Sequence, residues 1–156
     1  MSKRPIAMLA GVMAIAIVAA GCGGSDDGTD TVVLTKAEFI KQGDAICAKT
    51  SKQIEDEADE FAEDNDVDTS NPKQEDQEGV IVTVVAPALQ AQADELTALG
   101  APEGEEDTTA AIVEAIEAGA EELEDDPAAL LESADAGPLE KAEELADQFG
   151  FKECGQ

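Results

Sequence analysis

The sequence predicts an all-α fold: a small helical bundle clasped by one disulfide, preceded by a signal peptide and a flexible tether. Three observations carry this. Beyond position 34 the apolar residues recur every three or four positions, the spacing of a helix face rather than of a strand. Glycine and proline cluster between those periodic segments, as helix stops and starts do. Two cysteines, Cys47 and Cys154, stand near opposite ends of the periodic region.

The N-terminus reads as an export signal. Lys3 and Arg4 precede an apolar run over 6–20 that only Gly11 interrupts, the n-region and h-region of such a signal. That run is short of the roughly 20 residues that span a bilayer as a helix. It closes in Ala19-Ala20-Gly21-Cys22, where small residues before a cysteine match the lipobox of bacterial lipoproteins. The expectation is removal of residues 1–21 and a diacyl lipid on the Cys22 thiol, the membrane then being a partner through that lipid. Ala19 departs mildly from the motif, where Leu is commonest. The alternative is ordinary cleavage after Ala20 and a secreted protein with Cys22 as a free thiol. Parity favours the lipid, because with Cys22 acylated the remaining two of three cysteines form an even set. The division is then 1–21 signal peptide, 22–34 lipidated cysteine and acidic linker, and 35–156 helical domain. Positions 23–30 (GGSDDGTD) are glycine-rich and acidic, a spacer that self-repulsion extends.

The first helix is predicted over 36–63. Thr35 and Glu38 form a capping box, and Phe39, Gly43, Cys47, Thr50, Ile54, Ala58 and Phe61 lie along one stripe. Gly43 within that stripe costs about 1 kcal/mol against Ala, and the expectation is that a close approach by another helix compensates. The acidic segment 64–71 ends the helix, and Pro72 suits the first turn of the next. Positions 80–85 (VIVTVV) are β-branched enough for a buried strand. Their continuation through Ile81, Val85, Leu89, Gln92, Leu96 and Leu99 to a stop at Gly100 makes them helix, kinked by Pro87, which cannot bond the Thr83 carbonyl. A third helix over 105–124 buries Thr109, Ile112, Val113, Ile116, Ala120 and Leu123. Asp126-Pro127 opens a further helical turn with Asp126 as its cap. The last helix, 139–149, buries Leu139, Ala142, Leu145 and Phe149, with Gly150 as left-handed cap and Phe151 folding back toward Leu145 or Ala146.

Cys47 sits on the apolar side of the first helix and Cys154 just past the last. A bond between them would join the ends of the domain, as an oxidising compartment permits; two unrelated buried thiols are the alternative. The phrases Leu34-Thr35-Lys36-Ala37-Glu38-Phe39-Ile40, Asp44-Ala45-Ile46-Cys47, Leu96-Thr97-Ala98-Leu99-Gly100-Ala101-Pro102, Asp126-Pro127 and Phe149-Gly150-Phe151-Lys152-Glu153-Cys154-Gly155 together resemble a group of small exported helical proteins of high-GC Gram-positive bacteria. The resemblance implies a helical bundle clasped by an early and a late cysteine. It implies no catalytic or binding residue.

Composition bounds the chemistry. The chain carries 37 Asp and Glu against 9 Lys and Arg, a formal net charge of −28. Nucleic acid and anionic headgroups are repelled by such a surface, since Lys and Arg supply phosphate contacts. Such density of like charge also strains the compact state. Raising salt toward 1 M, where the Debye length is about 3 Å, is therefore expected to raise the unfolding temperature; a midpoint that does not move would remove this reading. There is no His, Trp or Tyr, which withholds the commonest general base and the best stacking platforms. No active-site constellation can be assembled from what remains, and the expectation is no catalysis. A secreted protein with an unrecognised enzymatic activity is an alternative.

Two positive readings remain. Asp64, Asp66, Asp68, Ser70 and Glu75 fall at positions 1, 3, 5, 7 and 12 of an EF-hand-like loop between two helices, the oxygen spacing that calcium takes. Thr69 stands where the sharp turn wants Gly, and a solvated acidic loop is the plainer account. No other cofactor is expected. The run 80–85 around Pro87 is the candidate surface for a protein partner at the cell envelope, with ordinary core as the alternative.

Overall fold

Thr35 begins the first helix as a reciprocal cap. The Glu38 backbone N–H donates to Thr35 Oγ1 at 3.3 Å and the Thr35 N–H to Glu38 Oε2 at 3.0 Å, so two otherwise orphaned donors are satisfied. The Thr35 hydroxyl also donates to that carboxylate, and these bonds hold Glu38 below the usual glutamate range. Because the folded value is lowered, this contribution is present above the unfolded glutamate pKa and is lost as pH falls through the folded one.

The computed structural model describes residues 33–133 and 137–154. Within them the chain forms α1 (Lys36–Asp64), α2 (Gln74–Val80), a π-helical turn (Ile81–Val85), α3 (Ala86–Ala98), α4 (Glu106–Asp125), α5 (Ala128–Glu132), a 3₁₀ turn (Gly137–Leu139) and α6 (Glu140–Phe149). With α2, the π turn and α3 running as one continuous helix, these are five helices, and there is no strand among the described residues. The all-helical fold is thus as the periodicity predicts, and Cys47 and Cys154 are bonded, their Cα atoms 5.1 Å apart.

Helix α4 is the axis of the packing, touching α3, α6, the π turn and the 3₁₀ turn, while α1 lies against α3. Ala86, Ala93 and Ala120 are fully buried. Side chains this small let the backbones close in, which is how a domain poor in large aliphatics attains core density. The main core gathers Phe39, Leu96, Ile112, Ile116, Phe149 and Phe151, and a smaller cluster forms around Ile81, Ala86 and Leu123. At 29 residues α1 is about 43 Å long, against about 30 Å for α4. Its far half therefore outruns the bundle, with Ile54, Ala58 and Phe61 only half-buried and α2 burying no residue fully. Phe61 there rests on Gly79.

Some local details correct the expectations and others add to them. Pro72 lies outside any helix: α2 starts two residues later, after Lys73, whose N–H donates to Asp76 Oδ2 at 3.2 Å. The turn before Pro87 is wide, with the Ala86 N–H bonding to the Ile81 carbonyl. A π turn makes room for the ring by adding a residue to the turn, so the helix runs through this proline. Asp126 does not cap α5 with its side chain; its backbone carbonyl accepts from Ala129 at 3.1 Å. In the run 80–85, Ile81 and Val84 are buried, Val80 and Val85 half-buried, and Val82 and Thr83 exposed.

Gly119 on α4 is required by packing. A Cβ there would lie 2.9 Å from the Pro138 carbonyl oxygen and 2.6 Å from Leu139 Cδ2, and backbone cannot swing aside as a side-chain tip does. Gly119→Ala is expected to destabilise by about 1–3 kcal/mol, although alanine favours an isolated helix by about 1 kcal/mol. Urea titration followed by circular dichroism checks the sign.

The C-terminal tail is anchored in three ways. Gly150 adopts φ 115° and ψ 11°, and the Phe151 N–H bonds to the Ala146 carbonyl at 3.1 Å, the six-to-one bond of a Schellman cap. Asp44 Oδ1 on α1 then accepts from the backbone N–H groups of Lys152 (2.8 Å) and Glu153 (2.9 Å). The Phe151 ring crosses to Gly43 and Leu96 of α3 also closes on it, so the tail joins a helix in approaching this glycine. Phe151 also meets Phe149 and Phe39, at centroid distances of 5.3 and 6.0 Å.

Candidate functional site

Between α1, α3, α4 and α6 the packing leaves a cleft of about 180 Å³ beside the disulfide. Helix α1 contributes Cys47, Thr50, Ser51 and Ile54, which are three, four and seven residues apart and so share one face. From the second long helix come Val85, Leu89 and Gln92, and the opposite walls are Ile116, Leu139 and Ala142. Glu143, Glu153 and Cys154 complete the lining. The π turn helps to shape it: Val84, Val85 and Ala86 all lose solvent exposure in succession, a wider inward arc than a regular helix gives.

Two of the polar side chains are unusual. Thr50 and Gln92 are each only 6% exposed, yet neither side chain hydrogen-bonds to another group among the described residues. No side-chain nitrogen or oxygen there is both shut off from solvent and unpartnered. The hydroxyl of Thr50 and the carboxamide of Gln92 therefore keep a little accessible surface in the cleft that both line. Ser51 differs, its hydroxyl donating to the Cys47 carbonyl at 3.1 Å.

Glu143 stands above the usual glutamate range, first because burial disfavours its charge and then because Asp147 and Glu140 are close. The folded state thus holds this proton more tightly than the unfolded chain does, and its contribution to stability is lost as pH rises through the raised value. Glu143→Gln is expected to raise the unfolding midpoint at neutral pH and to have no such effect below about pH 4, where unfolded glutamate is also protonated. Thermal melts at the two pH values check this, and a gain of equal size at both would show that charge is not its source.

The other residues singled out by sequence are dispersed. Cys22, the signal segment and most of the linker lie outside the described residues. Asp64 is the last residue of α1, and Glu75 lies in the first turn of α2. Between them Asp66 adopts a positive φ of 54°. Asp68 Oδ1 accepts from the Ser70 N–H at 3.1 Å and from the Ser70 hydroxyl at 2.6 Å, which holds its carboxyl below the ordinary range. That is a local turn. Among the described residues no three acidic or cysteine side chains converge as a metal site requires.

The cleft itself was not legible in the sequence, although Cys47, Thr50, Ile54, Val85, Leu89 and Gln92 were all placed on inward faces. The signal available was polar Thr50 and Gln92 standing in otherwise apolar stripes.

The lining can bind by dispersion, by hydrogen bonding at Thr50 and Gln92, and by negative charge at Glu143 and Glu153. No helix among the described residues is long and apolar enough to cross a membrane. Structural disulfides persist on the oxidising side of a membrane, so the Cys47–Cys154 bond points to an extracytoplasmic domain. Compared with protein-family models, with curated proteins and with solved structures, the chain matches none.

Proposed function

We propose that this is an extracytoplasmic helical protein with a binding role, held at the cell envelope by a lipid on Cys22 and belonging with the small exported proteins of high-GC Gram-positive bacteria that it resembles. The observation that carries the reading is the pairing of Cys47 with Cys154. It occupies two of three cysteines and leaves Cys22 odd, at the end of a signal-like segment. The membrane then enters through the lipid alone, because so acidic a domain is repelled by anionic headgroups. The linker 22–34 would hold it clear of them. The small cleft favours binding over a purely structural role, and no catalysis is assigned.

The test is the mass of the mature N-terminus in membrane fractions of the expressing bacterium. A diacylglyceryl-cysteine at Cys22, with Cys22→Ser shed into the medium, is the expected result. A mature chain with an unmodified Cys22 thiol in the medium would replace the anchored reading with the secreted one.

A further inference from the structure

We infer that the cleft beside the disulfide takes a small neutral or cationic organic molecule, slightly larger than benzene, with an apolar body and one hydrogen-bonding head. This deepens the binding role proposed above, but rests on the fold alone and not on the lipid.

Size comes first. The cleft measures about 180 Å³, and an apolar protein cavity of about 150 Å³ holds benzene. It is thus too small for a drug-sized ligand or a peptide side chain with its backbone.

Chemistry comes second. Most of the wall is aliphatic, from Ile54, Leu89, Ile116 and Leu139. Against that background Thr50 and Gln92, each 6% exposed, keep polar groups that open into the cleft, since no side-chain polar atom among the described residues is both shut off from solvent and unpartnered. A few polar groups in an otherwise apolar wall are what orient a small ligand. Both groups line the cleft and are placed to bond a molecule that displaces its water. A carboxamide and a hydroxyl each donate and accept, which suits an alcohol, an amide or an ammonium group.

Charge comes third. Glu143 and Glu153 line the same cleft, in a chain of net charge −28. An anion is turned away by this field, and a cation is drawn toward it.

Benzylamine, benzyl alcohol and benzoate share one ring and differ in head group, so they serve as probes of the exported full chain by ligand-observed NMR. Benzylamine and benzyl alcohol are expected to bind saturably and to compete with one another, and benzoate to bind at least tenfold more weakly. Ala142→Leu, which fills the cleft from α6, is expected to abolish binding. Gln92→Leu keeps the shape and removes the carboxamide; it is expected to fold as well as the wild type or better and to bind benzyl alcohol about tenfold more weakly, the loss of one hydrogen bond. Failure of all three probes to saturate at millimolar concentration would overturn the inference and leave a cleft that holds water only. Equal binding by the wild type and Gln92→Leu would overturn it too, and this arm stands even if Ala142→Leu fails to fold. The mass of the N-terminus reads the anchor separately, so an acylated protein whose cleft binds nothing would sink this inference and leave the anchored reading intact.

Discussion

Phe151→Ala is expected to be the most damaging single substitution in the domain, costing about 3–5 kcal/mol. The side chain is 1% exposed and lies two residues past the end of the last helix, so its loss both opens a cavity and releases the tail from α1. For about 120 ordered residues each kcal/mol moves the midpoint by about 4 °C. A fall of about 12–20 °C follows, a large share of the 5–15 kcal/mol typical of a whole domain.

The mechanism can be isolated with Gly43. In the wild type a Cβ at Gly43 would overlap Phe151 Cε1 and lie 2.9 Å from its Cζ, with Leu96 Cδ2 at 3.2 Å. Gly43→Ala alone should therefore destabilise by about 1–3 kcal/mol, outweighing a helix-propensity gain of about 1 kcal/mol. In the Phe151→Ala background the overlap is gone and the gain remains, so the same change should become stabilising. A double-mutant cycle on urea midpoints reads this coupling; additivity within a few tenths of a kcal/mol would show that ring and glycine do not meet.

Reducing the Cys47–Cys154 bond ranks second. The two cysteines are 107 residues apart, and closing a loop near that length contributes up to about 4.7 kcal/mol on a chain-entropy estimate, with 2–4 kcal/mol typical. The midpoint should fall by about 8–16 °C in the presence of a reductant, and Cys47→Ser with Cys154→Ser should reproduce the fall and abolish any response to reductant. A melt indifferent to reductant would mean that the bond does not form in the isolated protein. Phe151 and Cys154 anchor the same tail, so losing both should cost less than the sum of the two separate losses.

Among the local features, those governed by residues near in sequence were legible directly. The Thr35 and Glu38 cap, the extent of α1 to within a residue, the left-handed Gly150 and the inward stripes of α3 and α4 all follow from spacing and cap chemistry. Where two local rules competed, sequence chose less well. At Pro87 the helix continues as the spacing predicts, but the widened turn that accommodates the ring is not legible from it. Pro72 and Asp126 fit the chemistry of a helix start, yet α2 starts after Lys73, held by the Asp76 carboxylate, and at α5 Asp126 contributes its backbone carbonyl rather than its side chain.

By itself the sequence determined the all-helical class, the inward faces, the acidic surface and the identity of the two cysteines that can pair, because these depend on period, charge and count. Only the tertiary structure decided what those faces meet. Phe151 covers Gly43, Asp44 holds the backbone of the tail, Pro138 sits on Gly119, and Thr50 and Gln92 share a cleft instead of a bond. The physical reason is that a periodic stripe specifies the direction of a side chain about its own helix axis but not the partner across the gap. Partners distant in sequence are chosen by how volumes fit once every helix is in place.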